Sequence, residues 1–234
     1  PLAKKKTNEV IDLIETKVSL DNVHQIVIKE FQEKVMVQVK GKINEKEWIS
    51  ILKDKVDSLY LYNQLIYGKA KLEEILDKYH YFISPNSFFQ VNHEQTIRLY
   101  QQVKEYLGSP QKNVLDLYCG MASIGIFVSD VSNEITGIEL NSSSIKDAKE
   151  NILSNHLSNV KVKEGDVGKL LDTKNTYDAI IVDPPRSGLD KKTKKVLKVI
   201  TIALFAIYIF SLCLTWLMTI DYDMAPDERM KMDV

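Results

Sequence analysis

Four acids recur at intervals in the second half of the chain: Asp116 in VLDLYCG, Glu139 closing NEITGIEL, Asp166 after NVKVKEG, and Asp183 in IIVDPPRSGLD. Each follows a short β-branched run, so each is expected at the carboxyl end of a strand. In an open parallel sheet that edge is where ligands bind. A carboxylate there can accept hydrogen bonds from hydroxyls or balance a cation. DLYCGMASIG adds Gly120 with the small residues Ala122 and Ser123, a turn that lets a ligand approach the backbone. It is not G-x-G-x-x-G, so a dinucleotide is not the first reading. Glu139, nineteen residues after Gly120, stands where a carboxylate can accept both hydroxyls of a ribose. Pro184 and Pro185 fix φ and remove two donors, so the chain leaves its strand rigidly and Asp183 projects into the cleft. Each acid also has a plain structural reading: a helix N-cap, a brace for the loop in the case of Asp116, or a strand exit in which Arg186 pairs with Asp190. The ligand reading rests on acids recurring at successive strand ends.

The elements that must position these residues follow from periodicity. Residues 92–110, NHEQTIRLYQQVKEYLGSP, have Asn92 as N-cap with Gln95 three residues on, an apolar stripe of Ile97, Tyr100, Val103 and Leu107, and Gly108 and Pro110 as the stop. Four β-rich runs then alternate with stretches of helical spacing such as Ile145, Ala148 and Ile152. Strand and helix in alternation predict βαβ units and a parallel, doubly wound sheet. The first ninety residues differ. A helical pattern at Val10 and Ile14, a hairpin turning at residues 30–34, a helix at residues 48–52 and an extended SLYLYN predict a small α+β unit. The expected organisation is an α+β domain over 1–90 and a Rossmann-like domain over 91–234, with 199–234 a divergent tail.

Composition excludes little. Lys plus Arg total 31 against 32 for Asp plus Glu, so no global basic field points to nucleic acid, although a balanced total can hide a basic face. Cys119 and Cys213 are far apart and lack metal-ligand spacing, which predicts no metal site and fits a reducing cytoplasm. The chain starts at Pro1 with a basic stretch at residues 4–6 and no apolar leader, so its start is expected to be internal to a longer product.

A loose glycine turn, acids after the second and third strands and an acidic-Pro-Pro after the fourth form the layout of S-adenosylmethionine-dependent methyltransferases. Residues 82–92, FISPNSFFQVN, together with DLYCG and DPPRSGL, closely resemble the RNA uracil-5-methyltransferases, which make 5-methyluridine in transfer and ribosomal RNA. The resemblance covers most of residues 23–198. It implies S-adenosyl-L-methionine as cofactor, an RNA uridine as substrate, and cofactor contacts at Gln90, Tyr118, Ser123, Glu139, Asp166 and Asp183, beside the turn at Gly120. It also matches the first ninety residues to the family's middle domain, without the oligonucleotide-fold domain many members carry. Phe88 and Phe89 are expected in the core rather than stacked on a base.

In that family a cysteine adds to uracil C6 from a Ser-Cys-Asn-Pro turn after the strand following DPPR, and a late Glu removes the C5 proton. Here the region reads AIYIFSLCLTWL, and neither the turn nor the Glu-bearing strand has a match. Cys119 belongs to the cofactor loop, which leaves Cys213 as the candidate catalytic residue. Leu212 and Leu214 flank it, and an apolar setting raises a thiol's pKa, which favours a buried structural role. Residues 199–218 carry no charge, about the ~20 residues that span a bilayer. Three readings of this run stand: a sheet strand followed by a core helix, a membrane segment, or a tail outside the family's frame. The strand is favoured because IYI is in register. The functional expectation is uracil-C5 methylation, with a non-catalytic cofactor- or RNA-binding protein, or a membrane-tethered methyltransferase, as alternatives.

Overall fold

The computed structural model describes residues 5–108, 111–171, 177–185, 188–200 and 205–208. These fall into two units, one within Pro1–Glu74 and Ile83–Pro85, the other within Ile75–Phe82 and Asn86–Ile220.

In the first unit, β1 (Val23–Phe31) and β2 (Lys34–Gly41) pair antiparallel and turn at Gln32 and Glu33. Both turn residues have positive φ, 46° and 64°, the signature of the primed turn whose twist matches that of a hairpin. β3 (Ser58–Leu61) runs parallel to β2, and β4 (Gln64–Gly68) antiparallel to β3, giving the order β1-β2-β3-β4. Helices α1 (Lys5–Lys17) and α2 (Glu45–Leu52) supply Val10, Ile14, Trp48 and Leu52 to a core with Val35, Val37, Val39 and Leu59. The first turn of α1 is held by a distant side chain: the Thr7 N–H and hydroxyl both donate to Glu30 Oε2, at 2.9 and 2.6 Å.

β5 (Leu72–Leu76) and β6 (Tyr79–Ile83) form a two-stranded ladder. α3 (His93–Leu107) begins where expected, with Asn92 Oδ1 accepting the Gln95 N–H at 3.1 Å. Tyr100, Val103 and Leu107 are buried, but Thr96 takes the place expected of Ile97, which is half-buried. The parallel sheet that follows contains β7 (Gln111–Leu117), β8 (Ser132–Glu139), β9 (Val160–Glu164), β10 (Ala179–Val182) and β11 (Phe205–Tyr208). Its order is β11-β10-β7-β8-β9. The chain thus runs outward from β7 in one direction, then returns to β7's other side, which opens a crevice at the carboxyl ends beside β7. Between the strands lie α4 (Ser123–Phe127), α5 (Ser142–Ser154), α6 (Val167–Leu170) and α7 (Lys191–Ile200). Leu115, Leu117, Ile138, Ile180 and Val182 form the sheet's core.

β11 realises the strand reading at Phe205–Tyr208, paired in parallel with β10. A membrane helix over residues 199–218 is incompatible with that strand, and no helix among the described residues is long and apolar enough to cross a membrane. Residues 201–204 and 209–234, including Cys213, lie outside the described residues.

Within the second unit, α5 substitutes for a sheet neighbour. The Phe82 N–H donates to Asn151 Oδ1 at 2.7 Å and Asn151 Nδ2 donates back to Phe82 O at 3.4 Å. One helical turn on, Asn155 does the same for His80, accepting from its N–H at 2.9 Å and donating to its carbonyl at 2.6 Å. Alternate residues of a strand and residues four apart on a helix have similar spacing, so two amides complete one edge of β6. Asn151 is fully buried. Asn151→Ala strands a buried N–H and C=O and is expected to destabilise the protein by about 1–3 kcal/mol, seen as a lower urea midpoint at unchanged slope. The half-buried Asn155, replaced in the same way, is expected to cost less.

Candidate active site

The loop after β7 adopts an unusual backbone. Tyr118, Gly120 and Ala122 all have positive φ, 61°, 55° and 60°, so left-handed residues alternate along the turn. Glycine takes this conformation freely, whereas Tyr and Ala are strained by about 1 kcal/mol or more and need support. Ala122 is buried and its N–H donates to Cys119 O at 2.8 Å. The Tyr118 hydroxyl donates to Asp190 Oδ2 at 3.3 Å. Cys119 points inward beneath β8, where a Cβ on Gly137 would lie 2.7 Å from its sulfur. Burial pushes the Cys119 thiol well above its ordinary value, so it is an inert packing group.

Glu139 closes the loop from β8. Its Oε2 accepts the Gly120 N–H at 3.0 Å and its Oε1 the Asn141 N–H at 2.7 Å. Asn141 in turn caps α5, accepting the Ser144 N–H at 3.0 Å. Two backbone donors therefore fix the carboxylate while leaving each oxygen a free lone pair.

These residues border a cleft of about 540 Å³, within the usual range for small-molecule sites. Of the residues expected from sequence, Tyr118, Gly120, Glu139, Asp166 and Asp183 line it. Gln90 and Ser123 instead line an adjoining cavity of about 40 Å³, which also touches Tyr118, Gly120 and Asp183. The seven expected positions are thus gathered around two connected hollows, with Cys213 outside the described residues. Ser123 accepts or donates a 2.7 Å hydrogen bond with the Tyr100 hydroxyl.

Three features were not legible beforehand. Phe89 is buried and tilts against Tyr81 at 5.3 Å, as expected of a core residue, but Phe88 is 70% exposed and lines the cleft. The placement of both aromatics in the core is therefore corrected: residues 87–89 alternate buried, exposed, buried, as an extended segment must. Asp190 caps the helix that follows it, and its expected pairing with Arg186 involves a residue outside the described ones. Its Oδ1 accepts the N–H groups of Lys192 and Thr193 at 2.8 and 2.9 Å, capping α7. The Thr193 hydroxyl, donating to Oδ2, and then these backbone bonds hold its carboxyl down, to about 2.

The third is Asp116. It is 1% exposed, and neither of its oxygens, nor Asp183 Oδ1, has a hydrogen-bond partner among the described residues. Asp116 is in register with Ile181, so Asp183 lies diagonally across on the same face of the sheet. Burial and the neighbouring Asp183 push Asp116 up to about 8, and burial pushes Asp183 up to about 6. Such a pair demands either a proton or a cation.

The arrangement fits S-adenosylmethionine: a tethered carboxylate for a ribose, a backbone turn at Gly120 where an added Cβ would meet nothing within 4 Å, and buried negative charge for a cationic ligand. Fold and site have the layout of a Rossmann-like, S-adenosylmethionine-dependent methyltransferase domain. Residues 109–214 match the methyltransferase-domain family. The chain is a homologue of curated RNA methyltransferases. It is 40% identical over 149 residues to an uncharacterized RNA methyltransferase of Protochlamydia amoebophila, covering 57% of this chain and 34% of the relative. A relative in Caldanaerobacter subterraneus is 34% identical over 194 residues, covering 80% and 41%. The chain thus spans about a third of the length of the first curated relatives it matches. Among solved structures, the tRNA (uracil-54, C5)-methyltransferase of Pyrococcus abyssi, in complex with S-adenosyl-L-homocysteine, superposes with a TM-score of 0.65 at 26% identity, covering 82% of this chain and 54% of that one. A Methanocaldococcus jannaschii tRNA m1G37 methyltransferase shares the fold, at TM-score 0.53 and 14% identity over 79% and 60%.

The two carboxyls make stability pH-dependent. Their folded values lie above the ordinary carboxylate value, so the folded state holds the proton more tightly. That contribution is complete below about pH 4 and is lost as pH rises through about 6 and then about 8. The melting temperature of the ligand-free protein is expected to fall between about pH 5 and about pH 8.5, and Asp116→Asn to flatten that fall. Thermal scans across that range check it.

Proposed function

We propose that this chain is the catalytic part of an RNA methyltransferase that transfers a methyl group from S-adenosylmethionine to C5 of a uracil in transfer or ribosomal RNA. The observation carrying this reading is the single cleft where Glu139, Asp166 and Asp183 converge beside the exposed Phe88, in a chain similar to a tRNA uracil-C5 enzyme.

In this reading Glu139 accepts the ribose hydroxyls, Asp166 flanks the nucleoside from the end of β9, and Gln90, Tyr118, Gly120 and Ser123 border the rest of the cofactor. Asp183, held by Pro184 and Pro185 at the cleft wall, stands between the cofactor and the incoming base. Bound there, the cofactor supplies an electrophilic methyl group on a sulfonium. The ionised Asp116 and Asp183 balance that positive charge, which would otherwise be buried without a partner. Phe88 offers a neutral base an aromatic face at the mouth of the cleft. Uracil C5 is a poor nucleophile until a thiolate bonds to C6. The electron pair then formed at C5 would take the methyl as its bond to sulfur breaks and S-adenosylhomocysteine leaves; a base would remove the C5 proton and the C6–S bond would break. Cys213 is the thiol proposed for this role.

Glu139→Ala removes two charge-assisted hydrogen bonds of about 1.5–3 kcal/mol each and is expected to weaken S-adenosylmethionine at least tenfold by calorimetry. Unchanged affinity would take Glu139 out of the site. The base is tested with a 5-fluorouridine stem-loop, in which fluorine blocks the final deprotonation and traps the adduct. A covalent RNA–protein species abolished by Cys213→Ser makes Cys213 the nucleophile, whereas the apolar flank of Leu212 and Leu214 favours no adduct. Methyl transfer without that species sinks the uracil-C5 assignment, and cofactor binding with neither leaves a non-catalytic methyltransferase fold.

A further inference from the structure

α7 sorts its residues sharply by face. Lys191, Lys192, Lys194 and Lys195 are exposed, whereas Thr193 is buried and Leu197 packs on the sheet's core. The inner face is closed by Asp190, which caps the helix, and by α6, where a Cβ on Gly168 would lie 3.4 Å from Thr193 Oγ1. No carboxylate among the described residues forms an ion pair with any of the four lysines.

Local physics disfavours this arrangement twice. Positions 191 and 194, 191 and 195, and 192 and 195 are like-charged neighbours on one helix surface. The same lysines crowd the first turn, where the helix macrodipole is positive and acids are the stabilising choice. Where a segment breaks its local rules and only its N-cap acid, here Asp190, offsets them, a function is the usual reason. A polyanion reverses the sign of both effects.

Position supplies the partner. Asp190, immediately before Lys191, lines the cleft and contacts Tyr118, so the lysine face starts at the lip of the site. The cleft itself is lined by Glu139, Asp166 and Asp183 and carries no basic residue among its described lining. It repels phosphate and admits a neutral base. A cationic rim beside an acidic floor divides the work: the backbone of a nucleic acid stays outside, and one uncharged base enters past the exposed Phe88.

We propose that Lys191, Lys192, Lys194 and Lys195 form the surface on α7 that holds the phosphate backbone of the RNA while its target base enters the cleft. This rests on the RNA reading above. The lysines act as point charges to phosphates, so they set affinity and salt dependence without reading sequence.

The test replaces all four lysines by Gln in the full chain. Fluorescence anisotropy with a uridine-containing RNA stem-loop is then followed over a series of salt concentrations. Each lost phosphate contact removes about 0.7–0.9 from the slope of log affinity against log salt. The slope is expected to fall by about three and low-salt affinity at least tenfold. S-adenosylhomocysteine binding by calorimetry is expected to stay unchanged, which shows that the variant is folded. A matched control, Lys40, Lys42, Lys46 and Lys53 to Gln, removes the same charge from the first unit and is expected to leave the slope intact. An unchanged slope in the α7 variant, or an equal fall in the control, overturns the proposal while the RNA reading survives. A wild-type chain that binds no RNA at low salt defeats both. Lysine-dependent binding to phosphatidylserine vesicles in that case reassigns the face to a lipid surface.

Discussion

The constraint on which the site depends is the burial of Asp116 and Asp183 on one face of the parallel sheet. Two carboxyls, diagonal across β7 and β10, with both oxygens of Asp116 and Oδ1 of Asp183 unpartnered among the described residues, cannot both ionise in a low-dielectric setting unless positive charge arrives. Near neutral pH the pair is pushed toward holding a proton, with Asp116 up to about 8. The register neighbour on the same face, Ile181, is fully buried and apolar and offers no donor to relieve this. The molecule therefore carries a built-in preference for a cationic ligand at the carboxyl edge of the sheet.

The rest of the second unit serves to hold that edge open. Alternating left-handed residues at 118, 120 and 122 turn the chain away from β7 without a side chain crossing the cleft. The turn is pinned from three sides: by Glu139 through the Gly120 N–H, by Asp190 through the Tyr118 hydroxyl, and by Cys119 packed against Gly137. On the far side, Asn151 and Asn155 anchor β6 with paired amide hydrogen bonds. β6 leads directly into the segment carrying Phe88 and Gln90, so α5 fixes both the start of the aromatic segment and, through Asn141, the orientation of Glu139. One helix thereby sets the geometry of two parts of the cleft.

Charge is distributed by role. The overall balance of 31 basic and 32 acidic residues hides a separation in which acids line the cleft and lysines crowd the exposed face of α7. Net charge carries no information about such a pattern, because the field a ligand meets is local and screened within about a Debye length.

Much of the fold was legible in the sequence by itself. Period-two and period-3.6 patterns placed a hairpin turn within residues 30–34, the Asn92 cap and the alternating strands and helices, because these depend on neighbours a few residues apart. Strand-end position also brought Glu139, Asp166 and Asp183 to one edge, since a parallel sheet collects its carboxyl ends. Other features only the tertiary structure decided. Phe88 and Phe89 look alike in sequence, yet the pleat turns one to the cleft and the other onto Tyr81. Asp116 reads as one strand-end acid among several, and only its burial beside Asp183 raises its proton affinity. Asn151 and Asn155 read as surface polar residues of a helix until β6 is brought against them. Burial and pairing of a side chain depend on residues distant in the chain, and no local pattern encodes them.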